Sequence, residues 1–167
     1  MSPVTVRSYR PSDHSACRRL WAELTHQHNQ MYGAGADDGG AGLEEYLTRL
    51  DLGGLWVADH ADDGVIGMVG LVMRGRGGEV EPIVVTTSHR HKGVGRALLR
   101  HVANEAKKRN MTSLTISPAS RNIDAIRSLH AAGYDVCSSI ELTLDLDRHQ
   151  HEWQKDGLEL HELQFRS

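Results

Sequence analysis

Glu79-Val-Glu-Pro-Ile-Val-Val-Thr-Thr-Ser-His-Arg-His-Lys-Gly-Val-Gly-Arg-Ala-Leu-Leu99 is the stretch on which the fold turns. Glu79 to Thr86 is rich in β-branched residues and reads as a strand. Pro82 removes a ladder donor inside it, so the strand is expected to be irregular or unpaired on one side there. A short polar turn with glycines at 93 and 95 follows. From Gly93 to about Asn110 the period becomes helical, with Val94, Ala97, Leu98, Val102 and Ala106 on one face. The first amides of such a helix are unpaired and carry positive partial charge. Gly93 and Gly95 lack Cβ atoms, so oxygens of an anion can approach the backbone, and Arg90, Lys92 and Arg96 add charge at the same point. The reading is an anion cradle, and the expected anion is a pyrophosphate.

Working outward, Val4 to Arg10 alternates as a strand. Ser12 or Asp13 caps a helix running to about His28, with Ala16, Leu20 and Leu24 at helical spacing. Residues 32–42 are rich in Gly, Ala and Asp and predict a mobile loop, in which Asp37 and Asp38 are placed to attract a cationic substrate. A short helix is predicted over Leu43 to Leu50, then strands over Leu55 to His60 and Val65 to Met73, joined by the turn Asp62-Asp63-Gly64. After the long helix, whose last-turn cations Lys107 to Arg109 suit its dipole, come a strand over Thr112 to Ile116 and a helix over Asn122 to Ala132 closed by Gly133. Tyr134 to Leu146 predicts a long strand with Val136, Ile140, Leu142, Leu144 and Leu146 on one face. Leu158 to Arg166 predicts a last strand, bulged near His161-Glu162. The order β-α-α-β-β-β-α-β-α-β-β is α+β with a mostly antiparallel sheet of about seven strands flanked by four helices, in one domain over 1–167.

The 167 residues suffice for a core without disulfides or a structural metal. Net charge is -3 with no basic stripe, which argues against nucleic acid as a partner. The absence of a long apolar run or signal-like N-terminus predicts a cytoplasmic protein not bound to a membrane. Cys17 and Cys137 are read as two reduced core thiols. The pairs His26-x-His28, His89-x-His91 and His149-x-His151 have no Cys or H-E-x-x-H companion, so no bound metal is expected.

The pyrophosphate is not that of a Walker loop, whose pattern is absent, nor of a Rossmann turn, whose third glycine is replaced by Leu98. Arg90-x-x-Gly93-x-Gly95 instead resembles the [Q/R]-x-x-G-x-[G/A] signature of the GCN5-related N-acetyltransferase (GNAT) superfamily, and the element order resembles that fold. Asn122-Ile-Asp-Ala-Ile-Arg-Ser-Leu-His-Ala-Ala-Gly-Tyr134 resembles the family's N-x-x-A-x-x-x-Y-x-x-x-G-[FY] segment at Asn122, Ala125, Gly133 and Tyr134. The resemblance implies acetyl-CoA as co-substrate, with the pyrophosphate held by Arg90, His91, Lys92, Gly93, Val94, Gly95, Arg96 and Ala97. It implies a pantetheine arm that pairs with the strand Glu79 to Thr86 where the next strand splays away. Val84 or Val85 would offer its N–H to the thioester oxygen, and Asn122, besides capping its helix, would bind the arm. The family tyrosine that often protonates the departing thiolate falls at Leu129; His130, about 100° round the helix, is the substitute candidate.

The implied reaction is acetyl transfer to a primary amine in a ternary complex. The amine must lose a proton before attack, because its ordinary pKa is near ~10. Glu79 and Glu81 lie near the implied centre, and Glu81, beside Pro82, is the better candidate base. The acceptor is expected to be a small-molecule or peptide amine, and the tail after Leu146, with His151, Trp153 and His161, is expected to wall the acceptor site or make a homodimer contact. Two rivals remain open at this point: a non-catalytic acetyl-CoA or acyl-CoA binding module, and a nucleotide-binding protein using the same anion site.

Overall fold

The computed structural model describes residues 3–33, 39–50, 54–146, 153–155 and 157–167. Asp37, Asp38, His149 and His151 therefore lie outside the described residues. The chain forms two compact units, Met1–Thr25 with Asp37–Ile116, and His26–Ala36 with Ser117–Ser167.

The first unit is built on a five-stranded sheet in the order β1 (Val4–Ser8), β2 (Gly54–His60), β3 (Gly64–Arg74), β4 (Gly77–Val85), β5 (Leu114–Thr115). The first three pairings are antiparallel and the last is parallel. Val69, Met68 and Leu71 of β3 are buried, as the two-sided apolar pattern of this central strand requires. One core layer joins Cys17 and Leu20 of helix α1 (His14–Tyr32) to Leu43 and Tyr46 of helix α2 (Gly42–Arg49) and to Leu55, Val57, Met68 and Val84 of the sheet. Helix α3 (Val94–Lys108) buries Val94, Leu98, Leu99, Val102 and Ala106 and packs on β3 and β4. Its apolar positions recur every three or four residues, the spacing that puts them on one helical face.

Asp13 shapes the entry into α1. It is buried, accepts the Arg10 backbone N–H at 2.8 Å, and takes both terminal nitrogens of Arg7 at 2.8 and 2.9 Å. Arg7 also donates to Asp59 at 2.8 Å, so β1, β2 and the helix entry share one guanidinium. That hydrogen bonding holds the Asp13 carboxyl below its ordinary pKa.

In the second unit, helix α4 (Ile123–Ala131) is capped by Asn122, whose Oδ1 accepts the Ala125 N–H at 3.2 Å. Arg121 donates to the Met31 carbonyl and lies over the Tyr32 ring, which meets Trp153 edge-on at 5.9 Å between centroids.

Three expectations are corrected here. Residues 134–146 form no strand: Val136, Leu144 and Leu146 are 81, 82 and 88 % exposed. Alternation records a capacity for one-sided burial, but a strand also needs an edge to pair with, and none among the described residues pairs with this segment. Leu158 to Arg166 is not one bulged strand but a hairpin of β6 (Glu159–Leu160) and β7 (Leu163–Gln164). The phase change at His161 and Glu162 is its turn, with φ of 51° and 66° at the two residues. Cys137 is exposed, so only Cys17 is a core thiol; burial pushes that thiol up to about 12.

Candidate functional site

The irregularity signalled by Pro82 is a one-residue bulge. Val69 pairs with Ile83 and Leu71 with Val80, so Glu81 and Pro82 together oppose Gly70. Tyr46 from α2 donates its hydroxyl to the Glu81 carbonyl at this point. A Cβ on Gly70 would fall on that hydroxyl and that carbonyl, so glycine is required opposite the bulge. Burial raises the Tyr46 pKa, which keeps the hydroxyl protonated as a donor.

On its other side β4 pairs with β5 only at Gly78–Leu114 and Glu79–Thr115. From Glu81 to Val85 that edge has no strand beside it among the described residues. The Thr86 N–H donates to the Ile66 carbonyl of β3 at 2.8 Å. Backbone direction alternates along a strand, so Val84 also turns its amide to β3, while Ile83 and Val85 turn theirs to the open edge. Of the two amides considered from sequence, Val85's is therefore the one at the open edge.

The strand then enters a 3-10 turn (Thr87–His89) and the cradle segment. Glu23 of α1 holds the start of this turn, accepting from Thr86 Oγ1 at 2.8 Å and the Thr87 N–H at 3.2 Å. Arg90 Nε donates to the Val85 carbonyl at 3.0 Å, and Lys92 Nζ to the Ser88 carbonyl at 2.9 Å. Both cations thus fold back on the turn that leads into α3. Gly93, at φ 85° and ψ -1°, is the residue before the helix, and its carbonyl takes the first helical bond, from Ala97 N–H at 3.0 Å. The amides of Val94, Gly95 and Arg96 precede that bond and have no helical carbonyl to meet. No side chain caps them. His91, Lys92, Gly93 and Arg96 are exposed. A Cβ at Gly93 would meet nothing within 4 Å, and one at Gly95 only Val85 Cγ2 at 3.9 Å. The space beside the two glycines is therefore open among the described residues.

An open strand edge leading to an uncapped, glycine-lined helix start matches the acetyltransferase (GNAT) family, whose sequence pattern fits residues 17–134. The chain belongs to the GNAT family. Over 58 residues it is 36 % identical to streptothricin acetyltransferase of Streptomyces lavendulae, a match spanning 35 % of this chain and 31 % of that protein. Its fold is that of a GNAT acetyltransferase from Staphylococcus aureus Mu50 (TM-score 0.65, 19 % identity, 78 % of this chain and 84 % of the other). It is also that of AAC(6')-Iy bound to the bisubstrate analogue CoA-S-monomethyl-acetylneamine (TM-score 0.63, 17 % identity, 86 % and 99 %).

Within this GNAT chain, Val84, Val85 and residues 90–97 fall together in the first unit, at the end of β4 and the start of α3. Glu79 pairs with Arg74 at 2.7 Å, and Glu81 lies 4.0 Å from Arg49. Asn122 and His130 belong to α4 in the second unit. There Leu129 is buried and His130 exposed, so the helix turns the leucine, not the histidine, inward. The sequence reading missed Glu23 and Tyr46. Each acts across more than 30 positions, and nothing in the local pattern of a helix says which strand its polar residues will meet.

Proposed function

We propose that the protein transfers the acetyl group of acetyl-CoA to a primary amine by direct attack in a ternary complex. The observation that carries this is the β4 edge left open beyond Glu79, among the described residues, and leading to the amides of Val94 to Arg96, which precede the first helical bond. A pantetheine arm carries amide groups that suit an unpaired strand edge, and a diphosphate suits a helix start. Main-chain amides of residues 91–96 bind the diphosphate, with Arg96 as the side-chain cation not folded onto a carbonyl here. Arg90 and Lys92 hold the turn in shape while keeping their charge beside it.

The attacking nitrogen bonds the thioester carbonyl carbon, and the oxygen gains negative charge, which the Val85 N–H stabilises. Glu81 takes the ammonium proton before attack, directly or through a water. The nitrogen, positively charged after attack, releases its second proton to solvent. The carbon–sulfur bond then breaks, the electron pair leaves on sulfur, and solvent or His130 protonates the thiolate. The products are an acetamide and free coenzyme A. A small-molecule amine is the favoured acceptor class, in keeping with the antibiotic named for the relative from Streptomyces lavendulae.

Leu129 at the position of the usual acid favours a second reading, an acyl-CoA binding module without turnover. A thiol-release assay with acetyl-CoA and a panel of amines separates the two. Amine-stimulated release supports the transferase. Tight coenzyme binding with no release above the amine-free rate across the panel supports the module.

A further inference from the structure

We propose that His60, Asp63 and His89 form a binding site for a divalent transition metal of the zinc class. His60 ends β2, Asp63 lies in the hairpin turn that follows, and His89 ends the 3-10 turn before the cradle. Asp63 Oδ2 lies 3.3 Å from His60 Nδ1 and 3.1 Å from His89 Nε2, and the three atoms lie within 4.8 Å of one another. Ligands at about 2.0–2.2 Å from a tetrahedral zinc sit roughly 3.3 Å apart. Two of the three separations are near that value, and the two imidazole nitrogens, within 4.8 Å of each other, would close toward it on binding.

Each ring has one nitrogen that faces the cluster and can serve as a ligand atom. The backbone N–H groups of Asp62 and Asp63 donate to His60 Nδ1 at 3.3 and 3.2 Å, which makes that nitrogen an acceptor. Ser88 Oγ lies 3.0 Å from His89 Nδ1 and Asp63 Oδ2 lies 3.1 Å from Nε2; in the tautomer whose Nδ1–H donates to Ser88, Nε2 has the lone pair that a metal needs. A ligating histidine commonly donates its other N–H in this way. Two imidazole nitrogens and a carboxylate oxygen thus converge on one point, where a bound cation would replace the hydrogen bonds of the metal-free cluster.

The rings are fixed as well as convergent. Their side chains are 14 and 15 % exposed, their centroids are 5.1 Å apart, and Glu23 pins the turn that carries His89. The Asp63 side chain is 55 % exposed, which gives the ion a way in. Asp63, Ser88 and His89 also line a cleft of about 410 Å³, so a fourth coordination position has room for water. Two nitrogens and one carboxylate oxygen suit zinc, with nickel or cobalt as substitutes, over the all-oxygen preference of magnesium or calcium.

The test is titration of the whole chain with Co²⁺, followed by visible d–d absorption and then displacement with Zn²⁺, in the parent, Asp63→Asn and His89→Gln. Asp63→Asn keeps size in an exposed turn, and the metal-free unfolding midpoint of each variant checks its fold. The expected result is saturation at one equivalent with the intense bands of low-coordinate cobalt, displacement by zinc, and at least about tenfold weaker binding in each variant. Absence of the bands in the parent overturns the proposal and leaves a metal-free imidazole–carboxylate cluster. Equal affinity in parent and variants also overturns it, because the ion then resides on other histidines.

Discussion

Gly95 offers the sharpest test of the cradle, because substitution there should move stability and coenzyme affinity in opposite directions. It is the second residue of α3, it has no positive φ, and a Cβ would touch only Val85 Cγ2 at an ordinary 3.9 Å. Gly93 is less useful, since its φ of 85° strains any side chain and confounds folding with binding. Gly95→Asp removes a flexible residue from a helix, worth about 0.3 kcal/mol because Asp is itself a weak helix former. It also places an acid in the first turn, worth about 0.3–1 kcal/mol. A net gain of about 1 kcal/mol should raise the melting temperature by roughly 2–4 °C.

The same carboxylate would oppose a phosphate held at these amides; a separation of ~5 Å sets the order of magnitude of the Coulomb energy. At an effective dielectric constant of about 20 the repulsion is about 3 kcal/mol. Water at this exposed turn screens part of it, which leaves about 2 kcal/mol, or roughly a 30-fold loss of affinity. Gly95→Asn carries the shape without the charge, and Gly95→Ala should bind as the parent does, because the family signature accepts alanine there. Calorimetric titration with coenzyme A at two salt concentrations reads the series, with the Asp–Asn difference shrinking at high salt. If Gly95→Asp and Gly95→Asn bind coenzyme A equally well at low salt, no diphosphate sits at these amides.

Gly70→Ala would drive a methyl group into the Tyr46 hydroxyl and the Glu81 carbonyl, at a cost of about 3 kcal/mol; an unchanged urea midpoint would show that the bulge tolerates a side chain. Arg7→Met leaves the buried Asp13 without its guanidinium and should cost about 3 kcal/mol at pH 7. The pH dependence has a definite sign. The Asp13 pKa is lowered on folding, so its contribution is complete above the ordinary carboxylate range near pH 4 and is lost as pH falls through the folded-state value. Acid unfolding curves should therefore show the parent losing stability below about pH 4 and Arg7→Met losing much less; parallel curves would remove the pair as the cause. Glu81→Gln should lower amine-dependent turnover by roughly 100-fold near pH 7 and recover in part toward the ordinary amine pKa, whereas a deficit constant with pH would place the base elsewhere.

The strand, turn and helix around Gly93 were legible because they are local. One strand, one glycine turn and one amphipathic helix are contiguous in sequence, and their periods change at the turn itself. Pro82 was legible for the same reason: a missing donor must disturb the ladder wherever it falls. Residues 134–146 misled because alternation reports the side chains and says nothing of the partner edge. His161 and Glu162 misled because a change of phase looks alike whether the strand bulges or reverses, and only the positive φ of both residues separates the cases. His60, Asp63 and His89 form no local pattern, because they come from separate turns and strands. The ring that His89 faces lies 29 positions away and is brought there by the β2–β3 hairpin.

The bulge at Glu81-Pro82 does more than mark irregularity. Before it, the Gly78 N–H points to β5, where it donates to the Ser113 carbonyl at 3.0 Å. After it, the Thr86 N–H points to β3. Both positions are even, so strict alternation would have turned them to the same side. The extra residue reverses the phase of the backbone between them. A strand without the bulge would turn the Val84 amide to the open edge and set the Val85 amide against β3, moving the donor by one residue relative to the amides of α3. The distance from thioester to diphosphate is fixed by the pantetheine arm, so a seat for one end constrains the donor for the other. Under the proposed mechanism, Tyr46 and Gly70, which hold the bulge in place from α2 and β3, would be positioning residues for the Val85 amide although neither faces the open edge.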